Sequence, residues 1–153
     1  MSTKAFITGV AGPELGPDER KFIGAEQPWG FILFKRNIET PAQVASLVAQ
    51  LRQAVGVSNA PVLIDQEGGR VQRLGPPHWP AYPAGALFGR LYDSEPALGL
   101  KAARLSARLI ADDLFRLGID VDCLPLADVP VAGADASVVG TAINIVQPVS
   151  SAA

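Results

Sequence analysis

Residues 40–56 mark out one helix with both of its ends signalled, and this segment does most to limit what the chain can become. Thr40 is a good N-cap, and Pro41 suits the first helical position, where a missing N–H costs nothing. Val44, Leu47, Val48, Leu51 and Val55 follow helical spacing and make one apolar stripe. Gly56 is a natural stop. A short apolar run lies on each side, Gly30 to Phe34 before and Val62 to Ile64 after. Strand, helix and strand joined by short connections imply a parallel βαβ unit.

The alternation extends in both directions. Ala5 to Gly9 reads as a first strand, and Gly16-Pro17-Asp18-Glu19 opens a short helix with Phe22 and Ile23 toward the core. Asp93 or Ser94 caps a long helix that runs to about Leu117. Leu98, Ala102, Leu105, Leu109 and Phe115 supply its buried face. Gly118 ends it, and residues 119–124 form a fourth strand closed by Pro125, with Asp120 and Asp122 opposite Ile119, Val121 and Cys123. The expectation is an α/β fold with four parallel strands near 5–9, 30–34, 61–64 and 119–124.

The chemistry concentrates after the third strand, in Asp65-Gln66-Glu67-Gly68-Gly69-Arg70-Val71-Gln72-Arg73. Three polar side chains meet the strand's C-terminal end, and two glycines permit a sharp turn. Arg70 and Arg73 are spaced to share one side of a helical turn. Carboxylates and guanidinium groups crowded at a strand's carboxyl end suit a polar small-molecule site. Helix capping and loop formation are the plainer reading. Asp65 and Glu67, two apart, point the same way if extended, but neighbours on one short loop seldom flank opposite faces of a sugar.

Other residues are weighed singly. Lys35, Arg36 and Asn37 end the second strand, facing either a site or solvent; Arg36 is read as solvated, and Asn37 stays open. Four prolines between Gly75 and Pro83 exclude a regular helix or central strand, so residues 75–89 read as a long ordered loop. Its His78 reads as structural. Trp79 and Tyr82 either wall a site or pack beneath the loop. Cys123 cannot form an internal disulfide and reads as a core thiol. Asp128 reads as a structural acceptor.

Bulk properties remove several function classes. The 153 residues are 48% hydrophobic with a net charge of −2, so the chain has enough apolar content for a core and no basic surface for nucleic acid or anionic membrane. No stretch approaches a membrane span, and no secretory leader opens the sequence. A soluble cytoplasmic protein needing neither cofactor nor metal is the expectation.

Three words, Gly30–Asn37, Val62–Leu74 and Gly118–Val129, resemble the signature segments of glycoside hydrolase family 3. They are most similar to the bacterial cytoplasmic β-N-acetylhexosaminidases of peptidoglycan recycling. The resemblance runs from about Lys4 to about Gly140, so residues 1–140 are read as the N-terminal part of a catalytic barrel and 141–153 as a tail outside the pattern. It implies the first half of a (β/α)8 barrel, about four βα units. It also implies a retaining glycosidase acting on N-acetylglucosamine-containing saccharides or muropeptides. Asp65 and Arg73 carry over as sugar-binding residues, which suits a carboxylate accepting from hydroxyls and a guanidinium donating to sugar oxygens.

The family's histidine acid/base and aspartate nucleophile match no position here. The expectation is therefore a truncated chain, inactive alone, with a frameshift or early stop after Gly140. Two alternatives stand beside it. One is a non-catalytic sugar-binding or half-barrel assembly protein; the other is an independent doubly wound enzyme using Asp65 and Glu67.

Overall fold

The computed structural model describes residues 2–125. Asp128, Gly140 and the tail from Thr141 lie outside the described residues. Four parallel strands form one sheet in sequence order: β1 (Lys4–Thr8), β2 (Pro28–Leu33), β3 (Val62–Ile64) and β6 (Val121–Asp122). No strand is inserted between two others, which is the order of a barrel's opening half. The ladder of β6 reaches one residue further each way, through Asp120 N–H to Val62 O and Cys123 N–H to Ile64 O.

Helix α1 (Pro17–Glu26) links β1 to β2, and α2 (Pro41–Val55) links β2 to β3. Thr40 Oγ1 accepts from Gln43 N–H at 3.2 Å, and Gly56 closes α2 at φ +71. The α2 stripe, Val44 to Val55, is buried with Phe31, Leu33, Val62 and Ile64 in one core. Register explains the match: Phe31 pairs with Val62 and Leu33 with Ile64, so all four project from one face of the sheet. Ile32 and Leu63 project from the other face and are only half buried.

Three expectations need correction. In α1, Ile23 is buried but Phe22 is exposed. Adjacent helical residues stand about 100° apart, and only one faces α2.

The long helix is α4 (Pro96–Arg116), and a second helix that was not expected, α3 (Gly85–Ser94), precedes it; the two meet at Glu95 with φ −148 and ψ 88. Pro96 forces the break, because proline disfavours helical backbone in the residue before it. Glu95, not Asp93 or Ser94, stands at the N-cap of α4, and the proline-rich loop ends at Ala84 rather than Gly89. A Cβ on Gly99 would lie 2.5 Å from Tyr92 Cα, so a glycine there lets the two helices meet closely.

The buried face of α4 is Gly99, Ile110 and Leu114. Leu98, Leu105, Leu109 and Phe115 are exposed, Phe115 by 82%. Leucines recur around much of α4, so spacing alone admits more than one apolar stripe; packing into the common core picks out Ile110 and Leu114.

Candidate functional site

The segment after β3 is an antiparallel hairpin, not a helical turn: β4 (Gln66–Gly68) pairs with β5 (Val71–Gln72). Gly68 and Gly69 turn it at φ +84 and +60, where other residues are strained. Arg70 and Arg73 therefore do not share a helix face. Arg70 sits in the exposed turn, and Arg73 points inward.

The register sets the central contact. Gln66 opposes Gln72, and one further step places Asp65 opposite Arg73. Asp65 Oδ2 accepts from Arg73 Nη2 at 2.6 Å, with the side chains 21% and 25% exposed. Two candidates eight residues apart thus form one charge-assisted pair at the C-terminal end of β3.

The layer beneath holds that pair in place. Gln66, fully buried, accepts from Arg73 N–H and Leu74 N–H, both at 2.9 Å, and donates to Leu74 O at 3.0 Å. Its own N–H donates to Asp122 Oδ1 at 2.9 Å, joining the hairpin to the end of β6. Lys35 Nζ donates to Arg73 O at 3.0 Å, tying in the end of β2.

Asn37 is buried and structural. Its Nδ2 donates to Val10 O and Gly12 O, and its Oδ1 accepts from Phe34 N–H. Arg36 is exposed but not merely solvated, since its Nε donates to Val10 O and its guanidinium lies 4.7 Å from the Phe34 ring centroid. Loops after β1, β2, β3 and β6 are thereby laced into one rim.

The proline-rich loop packs against the hairpin. Gln72 reaches Pro80 O and Tyr82 N–H, and Gly69 N–H donates to Tyr82 O. Trp79 and Tyr82 are buried beneath the loop rather than walling a site, and Tyr82 Oη donates to Asp113 Oδ2 of α4 at 2.6 Å. Burial and that bond raise the tyrosine's pKa. His78 is exposed, edge-on to Trp79.

The mouth mixes both signs, Asp65, Glu67 and Asp122 against Arg70, Arg73 and Lys35. Burial pushes Asp122 up to about 6, with Asp65 adding to the rise. Burial raises Glu67 as well; Asp65 and Asp122 reinforce the effect, while Arg73 and Arg70 oppose it. Cys123, half buried rather than a core thiol, is raised by burial and by its contact with Asp65, which disfavours a reactive thiolate. Sequence reading missed Gln66 and Asp122 as supports of the site. A polar residue on each side of Asp65's strand end was visible; the bond between them was not.

The mouth thus offers a carboxylate and a guanidinium in fixed register, one able to accept and the other able to donate hydrogen bonds. Residues 12–140 match the model of the "Glycosyl hydrolase family 3 N terminal domain". The chain belongs to glycoside hydrolase family 3. A beta-hexosaminidase of Xanthomonas axonopodis pv. citri is 40% identical over 125 residues, covering 80% of this chain and 36% of that protein. NagZ from Neisseria gonorrhoeae superposes with a TM-score of 0.74 at 26% identity, over 83% of this chain and 38% of that one. The same NagZ in complex with N-trifluoroacetyl-D-glucosamine gives 0.72 at 26% identity, over 80% and 36%. The family 3 chain spans a little over a third of the length of these relatives.

Proposed function

We propose that this chain carries the sugar-gripping part of a β-N-acetylhexosaminidase, with Asp65 and Arg73 holding hydroxyls of a terminal β-linked N-acetylglucosamine. The observation that carries the reading is the 2.6 Å Asp65–Arg73 pair at the strand ends. The pair leaves carboxylate lone pairs and guanidinium donors over for a ligand. Its support is the likeness to NagZ in complex with N-trifluoroacetyl-D-glucosamine and the name of the Xanthomonas relative. The substrates are N-acetylglucosamine-containing saccharides, muropeptides of cell-wall recycling among them, and the compartment is the cytoplasm. Among the described residues no helix is long and apolar enough to cross a membrane.

The chain by itself binds and does not cleave. Retaining hydrolysis needs a nucleophile on one side of the anomeric carbon and a proton donor on the other. Among the described residues Asp65 is engaged by Arg73, Asp122 by Gln66 N–H, Glu67 shares one short hairpin with Asp65 and so does not flank the opposite sugar face, and His78 sits on the outer loop.

Calorimetry with N-acetylglucosamine tests the reading. Asp65→Ala should weaken binding by about 1.5–3 kcal/mol, the range for a hydrogen bond to a charged group. Equal affinity in both chains removes Asp65 from the site.

A further inference from the structure

Glu67 has no task in the sugar-binding reading, yet it stands beside the pair. The hairpin register shifts between Gln66 and Gly68, which makes Glu67 the extra residue of a β-bulge. Bulges redirect a side chain and are common next to functional sites. The redirected carboxylate lies within the fields of Asp65, Arg73, Asp122 and Arg70.

Two atoms in this hairpin lack partners. Glu67 Oε2 and Arg73 Nε are both closed to solvent and both without a hydrogen bond; among the described residues no other buried side-chain atom is so placed. One is an acceptor on a carboxylate and the other a donor on a guanidinium. A buried polar atom with no partner bears its full desolvation penalty, and a bond between these two would remove both penalties at once. Arg73 is held elsewhere, since its Nη2 is drawn to Asp65. Asp65 holds the guanidinium, and Glu67 is a second carboxylate within its field.

We propose that Glu67 is the positioning residue of Arg73, the alternate partner that takes its Nε–H when Asp65 is engaged by a ligand. A sugar hydroxyl donating to Asp65 weakens that carboxylate's hold on Arg73. Without a second anion the guanidinium would drift toward solvent through its exposed side. With Glu67 in place, a side-chain movement that brings the two orphan atoms together keeps the guanidinium facing the ligand. The ligand-driven step rests on the sugar-site reading; the exchange of partners does not.

The test follows the Arg73 Nε–H proton by NMR in the whole chain, the resonance being assigned by its loss in Arg73→Lys. Without any sugar, Asp65→Asn frees Arg73 from its first partner. The Nε–H signal should then move downfield as Glu67 takes it, and should return in Asp65→Asn/Glu67→Gln. A signal unmoved in Asp65→Asn, or moved equally in the double variant, overturns the proposal even if sugar binding is normal. With saturating N-acetylglucosamine, the unsubstituted chain should show the same downfield move. Glu67→Gln should lack it and bind about tenfold more weakly. Failure of the unsubstituted chain to bind the sugar sinks the sugar-site reading, and the Asp65→Asn arm still decides the role of Glu67.

Discussion

Asp122 shows how one half-buried carboxylate links the site to stability. Its pKa is about 6 in the fold against 3.8 ordinarily, chiefly through burial. Between those values the folded chain holds more protons than the unfolded one, so stability falls as pH rises through that window. Above pH 6 the cost is fully present; at about 1.36 kcal/mol per unit it is bounded by about 3 kcal/mol, and solvent screening of a half-buried group brings it below that bound. Asp122→Asn can still accept from Gln66 N–H through its amide oxygen. The variant should therefore gain stability at pH 8 and gain little at pH 4. Urea unfolding at the two pH values checks this, and an equal change at both would show that Asp122 is not buried at its cost. Gln66 is the neutral counterpart. Gln66→Leu strands Arg73 N–H, Leu74 N–H and Leu74 O together. Its expected destabilisation is about 3 kcal/mol or more, at about 1 kcal/mol or more per orphaned group.

At the scale of elements, the hairpin is the part that the remaining site hangs on. A Cβ on Gly68 would lie 2.3 Å from Pro83 O, and the residue sits at φ +84. Gly68→Ala therefore combines strain with overpacking, roughly 2–5 kcal/mol together. The expected result is local: the hairpin and the loop above it open, N-acetylglucosamine binding is lost, and the sheet with α1 and α2 persists. Hydrogen exchange would show β4 and β5 amides losing protection while those of β2 and β3 keep theirs. Loss of protection throughout would mean that the hairpin is needed by the whole sheet. Helix α2 is the contrasting case, because its cap, stripe and stop are all local; Thr40→Ala removes only the N-cap bond to Gln43, worth about 1 kcal/mol.

At the scale of the whole molecule, the described residues present an apolar face on α4. Leu105, Leu109 and Phe115 of α4 are 51%, 59% and 82% exposed. An open groove beside them is lined by Ile110, Leu114, Phe115, Ile119 and Leu124. Exposed apolar residues clustered in this way mark contact surfaces on soluble proteins. The chain should self-associate at micromolar concentration, and Leu109→Ser/Phe115→Ser should return it toward monomer. Both sites are exposed, so thermal stability should change little. Sedimentation velocity would detect this, and a monomeric unsubstituted chain would contradict it. Activity belongs to the same scale. With a chromogenic aryl β-N-acetylglucosaminide the chain should show no turnover above background. Turnover within about tenfold of a full-length family enzyme, lost on Asp65→Asn or Glu67→Gln, would make the local carboxylates catalytic.

What the sequence determined by itself was everything written in short-range physics. Thr40, Pro41 and Gly56 set the bounds of α2 because caps and stops act within one turn. The apolar runs at β2 and β3 and the helix between them left only a parallel arrangement. The words around Asp65 and Arg73 pointed to a family and to those two residues. Tertiary structure decided what depends on partners distant in the chain. Arg73 meets Asp65 because a bulged hairpin replaces the helical turn that its spacing from Arg70 suggested. Gln66 and Asp122 support the site because β6 lies beside β3, 56 residues away along the chain. The buried side of α4 was undetermined for the same reason: leucines recur around the helix, and the fold chooses which of them meet Ile119 and the sheet. Local rules specify an element; only the docking of elements specifies which of its faces is inside.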